Sequence, residues 1–220
     1  TYTVLCGIFT YKMVMVIYKN SYVAATSAIL YTFCVYRLLD IYHRAAIGES
    51  ISFTFLPIVF LGLYHIIKGN YKKWYILTIG FSLMIFTHLI SSVLMFVTVV
   101  IFLCIYNKSW RDEPRRIKYL FLSGLVTLPI VAYFLLPMIE QMLSADFYYH
   151  SRQIMSKVED TTYGIHKIIW GMFTGIVHPK QIFIAGVGFL LTGVIGSRLF
   201  VYGKSAQLRS LDIAVVVGLI

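Results

Sequence analysis

Long apolar runs separated by short polar patches set the rhythm of this chain. A membrane-spanning helix needs about 20 mostly apolar residues. On that measure the segments 1–18, 22–39, 51–67, 75–88, 92–106, 119–137, 181–202 and 211–220 stand out. The fourth and fifth share one apolar stretch, 75–106, too long for one upright helix and short for two full ones. The pattern predicts an all-α integral membrane protein, a polytopic bundle of about eight transmembrane segments, two of them short. Apolar runs are already under way at Val4, Leu5 and Ile8 and still under way at Val217, Leu219 and Ile220. The chain therefore reads as a single transmembrane domain, 1–220, truncated at both ends, whose nearest partners are the remaining parts of a longer chain and membrane lipids.

Composition narrows the function classes. Hydrophobic residues make up 59% of the chain and charged residues 13%, against about 45–50% and about 25% in soluble domains. That excludes a water-soluble enzyme, a disordered tail and a disulfide scaffold. Cys6, Cys34 and Cys104 lie far apart inside apolar runs, fit no metal-ligand spacing, and read as small buried hydrophobes.

Charge sets the orientation. Cytoplasmic loops are rich in Lys and Arg, and two loops here are basic: 68–73, with Lys68, Lys72 and Lys73, and 107–118, with Lys108, Arg111, Arg115, Arg116 and Lys118. The stretch between them must cross an even number of times, as a hairpin turning near His88–Ser92 or as a re-entrant loop surrounded by protein. Alternation then places 40–50 and 138–180 outside. The outer side carries Arg37, Arg44, Arg152, Lys157, Lys167 and Lys180 against Asp40, Glu49, Glu140, Asp146, Glu159 and Asp160, and is neutral. The whole formal charge of +10 falls on the inner side, so no nucleic acid is needed to explain it. Residues 138–180 form an extracytoplasmic loop, and the helical spacing of Ile165, Ile168, Ile169, Met172, Phe173 and Ile176 predicts an amphipathic helix within it.

Candidate chemistry gathers on the outer side. On an α-helix Arg37, Asp40 and Arg44 share one face, with Gly48 and Glu49 following. Two guanidiniums suit a phosphate, which Arg can grip through two oxygens. The carboxylates of Asp40 and Glu49 are candidates for orienting an acceptor or acting as general base. The alternative is an interfacial helix whose ion pairs satisfy only each other. His88 is an ionisable group at membrane depth, which marks it as a candidate, with a neutral structural hydrogen bond as the alternative. There is no phosphate-cradling glycine loop, zincin pair or nucleophile elbow. Nor is there an internal repeat or a metal-ligand set.

The run Leu30-Tyr31-x4-Tyr36-Arg37-Leu38-x-Asp40-x-Tyr42-x-Arg44-x3-Gly48-Glu49, then Leu56-Pro57-x4-Gly62-Leu63-Tyr64, resembles the bacterial membrane proteins described as 6-pyruvoyl-tetrahydropterin synthase-related, close to the YfhO-like proteins. Thr87-His88-Leu89 and Leu136-Pro137-x2-Glu140 fit the same pattern, while no pterin-site residues are visible. These families resemble GT-C glycosyltransferases, which transfer a sugar from a polyprenyl-phosphate donor at the outer leaflet of the bacterial plasma membrane to a cell-envelope acceptor. The resemblance implies that Arg37 and Arg44 face the lipid phosphate, that Asp40 and Glu49 orient acceptor or a divalent metal, and that His88 and Glu140 line the cavity. The usual catalytic acid of such enzymes falls upstream of Thr1. A flippase for a lipid-linked precursor and a non-catalytic scaffold of envelope-polymer assembly are the competing readings.

Overall fold

The computed structural model describes residues 1–144 together with residues 166, 170 and 171. The expected seventh and eighth spans lie outside the described residues, as does the expected outer loop 138–180 except for 138–144, which continue α8 rather than form a loop, and residues 166, 170 and 171. The described chain is helical and without strands. Its helices are α1 (Tyr2–Tyr18), α2 (Ser21–Thr32), α3 (Val35–Leu39), α4 (Ile47–Ile67), α5 (Tyr75–Thr87), α6 (Leu89–Ile105), α7 (Asn107–Asp112) and α8 (Arg115–Ser144).

Among the described residues, three helical stretches are long and apolar enough to cross a membrane: Ser21–Arg44, Ile47–Ile67 and Arg115–Ser144. α1 and α6 are shorter apolar helices. At 1.5 Å per residue the 13 residues of α5 reach about 20 Å, short of the hydrocarbon thickness of about 30 Å.

Caps mark the turns at one end of the bundle. Lys19 closes α1 in the left-handed region (φ 53°), and the Asn20 side chain accepts from the backbone N–H of Tyr22 and Val23 to start α2. Asn70 does the same for Lys72 after α4. An Asn oxygen in that place satisfies amides that have no partner within the helix.

α4 is the central element, with α1 on one side and α5 on the other. α4 and α5 run antiparallel and close. A Cβ at Gly62 would overlap the Leu77 backbone, and one at Gly80 would lie 2.8 Å from the Val59 nitrogen. Val59, Leu63, Ile66, Leu77, Met84, Met95 and Val99 form the apolar core around this contact. α8 runs alongside α5, tied by Thr78 to the Ser123 carbonyl (3.2 Å) and hydroxyl (3.0 Å) and by Phe86 against Tyr133.

The stretch 75–106 turns at a single residue, His88, whose backbone is extended between α5 and α6. Thr87 lies against Gly48 at the start of α4. From there α6 returns toward the other end of α4, where Phe102 packs on Phe60 and the Lys68 ammonium sits 4.7 Å above the Tyr106 ring. α5 and α6 thus form a helix–turn–helix that begins and ends at the same end of α4.

One expected helix is not continuous. The segment 22–39 breaks at Phe33–Cys34, where Cys34 is extended (ψ 147°), and resumes as α3 and then a π-helical turn, Asp40–Arg44. Thr32, Phe33 and Val35 are middling helix formers, and the break releases the Thr32 carbonyl, which Arg37 then binds. The fold thereby has two unlike ends. Residues 19–20, 68–74 and 106–116 lie at a basic end, while residues 36–49 and 87–88 lie at the opposite end with the candidate site.

Candidate functional site

The π-helical turn builds the site. Its wide register closes with the Ala46 N–H donating to the Asp40 carbonyl (3.0 Å), and Ala45 follows in the left-handed region (φ 51°). Such turns interrupt α-helices frequently at functional sites. The sharp exit starts α4 at Ile47 and brings Glu49, in its first turn, back over the π turn. A carboxylate there also favours the positive end of the helix dipole.

Arg44 is the hub. Its Nη1 donates to Asp40 Oδ1 (2.8 Å), Glu49 Oε2 (3.1 Å) and the Tyr36 hydroxyl (3.2 Å). The Tyr36 hydroxyl in turn donates to Glu49 Oε1, and its ring packs edge-on against Phe53. Exposure is graded across the set: side-chain values are 32% for Arg44, 15% for Glu49 and 0% for Asp40. Asp40 Oδ2 is buried and has no hydrogen-bond partner. Two carboxylates around one guanidinium leave the network with one formal negative charge. It is therefore suited to hold a hydroxyl donor or a cation at Asp40 Oδ2 more readily than a second anion.

His88 reaches this end from the α5–α6 turn. Gly48 makes the approach possible, since a Cβ there would lie 2.6 Å from the Thr87 carbonyl and 3.7 Å from the His88 ring. His88 Nδ1 accepts from the Ser91 N–H (3.3 Å) and meets the Ser91 hydroxyl at 2.7 Å, capping α6. An accepting Nδ1 places the proton of the neutral ring on Nε2.

The other expected site residues stand apart. Arg37 does not share a face with Asp40 and Arg44. It turns back into the bundle, 1% exposed, and donates to the Thr32 carbonyl (2.8 Å) and Thr3 Oγ1 (3.4 Å). The pair of guanidiniums expected around one carboxylate is thus a single one, Arg44. The reason is twofold: the π-helical register at Asp40–Arg44 changes the phase between residues 37 and 44, and the break at Cys34 offers Arg37 a released carbonyl. Glu140 is exposed near the end of α8, and its described contact is its carbonyl accepting from the Ser144 hydroxyl.

Tyr36 joins the network through contacts with Glu49 and Arg44 that no spacing rule signals. Ser91 carried a signal: a polar residue three positions after a cap is the pattern of reciprocal capping. Among the described residues no three His, Cys, Asp or Glu side chains converge on a possible metal position; Asp40 and Glu49 are joined through Arg44. No family model, curated protein or solved structure matches this chain.

Proposed function

We propose that this chain is part of a membrane enzyme of the GT-C glycosyltransferase kind, in the bacterial plasma membrane, with the Asp40–Arg44–Glu49 end facing out. Its donor would be a polyprenyl-phosphate-linked sugar and its acceptor a hydroxyl of the cell envelope. The observation that carries the reading is the buried, unpartnered Asp40 Oδ2 beside a half-exposed guanidinium. The acceptor O–H would donate to Asp40 Oδ2 while its oxygen attacks the anomeric carbon. The bond from that carbon to the phosphate oxygen then breaks, the phosphate leaves with the bonding pair, and the proton passes to the carboxylate. Glu49 and Tyr36 hold Arg44, which keeps Asp40 aimed. The family likeness supplies the donor class, and the basic opposite end supports the orientation.

The test is sugar transfer by the full-length protein from a labelled polyprenyl-phosphate donor, with donor binding measured alongside. Asp40→Asn should lower kcat by about 10²- to 10⁴-fold, the usual worth of a general base, and leave donor affinity unchanged. Unaltered transfer in Asp40→Asn refutes the proposed chemistry. Transbilayer movement of the donor without transfer, at equal rates in both proteins, points instead to a flippase.

A further inference from the structure

The basic end is a single surface, although two loops separated by α5 and α6 supply it. Arg116 joins them. From the start of α8 it donates to the Ile66 and Gly69 carbonyls (2.8 and 3.2 Å) and lies over the Tyr71 ring, which in turn meets Tyr119 at 5.0 Å. α7 is held to the same end by Trp110, which donates to the Leu103 carbonyl (3.0 Å) and packs on the apolar core. Arg116 pairs with Glu113 (2.9 Å), so that acid offsets a cation already built in. The two loops are left with seven exposed cations against one exposed acid, Asp112.

Helix boundaries fix the depth of these cations. Lys68 follows the last residue of α4, Lys73 lies two residues before α5, Lys108 lies three beyond α6, and Arg115 opens α8. Each is thus at the mouth of an apolar helix, where Lys and Arg stems lie along apolar surface and their heads reach the phosphate layer. One to two turns deeper, α5 and α8 run side by side through Thr78 and Ser123 and expose Ile79 (49%) and Phe121 (73%). A partner at this level meets cations beside its head and apolar side chains beside the rest of it. A nucleic acid or an acidic protein would use the charges and leave Ile79 and Phe121 bare. A phospholipid with a net negative head uses both.

We propose that the basic end is a binding surface for anionic phospholipids of the leaflet it faces, with their phosphates on the cations of residues 68–73 and 107–118 and their acyl chains along α5 and α8. Clustered Lys and Arg next to membrane helices attract such heads, each cation adding to the effect within a Debye length. The assignment uses none of Asp40, Arg44 and Glu49, so it stands or falls apart from the sugar-transfer reading.

The experiment places full-length protein in phosphatidylcholine vesicles with a trace of spin-labelled phosphatidylglycerol or spin-labelled phosphatidylcholine, and reads the fraction of label whose motion the protein restricts. Wild type should restrict phosphatidylglycerol more than phosphatidylcholine, and about 1 M salt should erase the preference. Lys68→Gln/Lys72→Gln/Lys73→Gln and Lys108→Gln/Arg111→Gln/Arg115→Gln/Lys118→Gln should each lower it, by up to about fivefold per cation, and the combined variant should abolish it. Lys68→Arg/Lys72→Arg/Lys73→Arg keeps the charge and should keep the preference. Thermal melts check that every variant is folded. Equal restriction of the two lipids by wild type, or an unchanged preference in a folded combined variant, overturns the proposal. Binding of soluble polyglutamate without any preference for phosphatidylglycerol also overturns it and gives the surface to an acidic protein.

Discussion

The two ends of the bundle use charge in opposite ways. At the basic end Lys68, Lys72, Lys73, Lys108, Arg111, Arg115 and Lys118 are exposed, while Arg116 is built in. It donates to the Ile66 and Gly69 carbonyls (2.8 and 3.2 Å), pairs with Glu113 and lies over the Tyr71 ring. At the other end the described charges Arg37, Asp40, Arg44 and Glu49 are buried or paired, with Asp40 fully buried beneath Arg44. Exposed cations orient a membrane protein through their number, and their individual geometry matters little. Buried charges act singly, because each must find a partner in a medium that does not solvate it. The comparison teaches that exposed charge acts through its number, while buried charge acts through the particular partners that packing gives it.

All-or-none accessibility tests the comparison most severely. Cysteine placed at Tyr42 and at Lys72, both exposed, should be labelled by an impermeant reagent from opposite sides of the membrane, Tyr42→Cys from outside in intact cells. Labelling of both from one side would dissolve the two-ended description.

Next in size is Arg44→Leu, which strands buried Asp40 and should cost about 3 kcal/mol of stability, as broken buried pairs do. The double variant Arg44→Leu/Asp40→Leu should recover most of this loss in thermal unfolding while remaining inactive. A double variant as unstable as the single would mean that the network is not an isolated pair problem.

Arg116→Gln should cost about 1.5–3 kcal/mol through its charged hydrogen bonds to carbonyls. Lys72→Gln and Lys108→Gln, on the same end, should stay within about 0.5 kcal/mol. Comparable losses in all three melts would contradict the division into exposed and built-in cations.

The smallest effect sharpens the role of His88. Loss of its cap in His88→Leu should cost about 1 kcal/mol, whereas sugar transfer should fall much further if the ring serves Asp40. Activity that tracks stability alone would leave His88 as a cap.

The return of α6 to the end where α5 starts was legible from charge, because the loops on either side of 75–106 are both basic. Asp40, Arg44 and Glu49 were legible as a set because π-turn and helix-start contacts are local, four and five residues apart. Arg37 was not, since a four-residue periodicity presumes an unbroken α-helix, whereas the π-helical turn at Asp40–Arg44 shifts that phase and Arg37 bonds Thr3 of α1, 34 positions away.

What the sequence by itself determined is the membrane environment, the apolar segments and the basic end, all of which follow from local composition against the thickness and dielectric of a bilayer. What only the tertiary structure decided is which polar groups meet. Arg116 reaches carbonyls 47 and 50 positions earlier, Thr78 bonds Ser123 across 45, and Gly48 admits Thr87 and His88. Each pairing exists because a buried polar group must find a partner wherever packing offers one, and that partner's distance along the chain leaves no trace in local pattern.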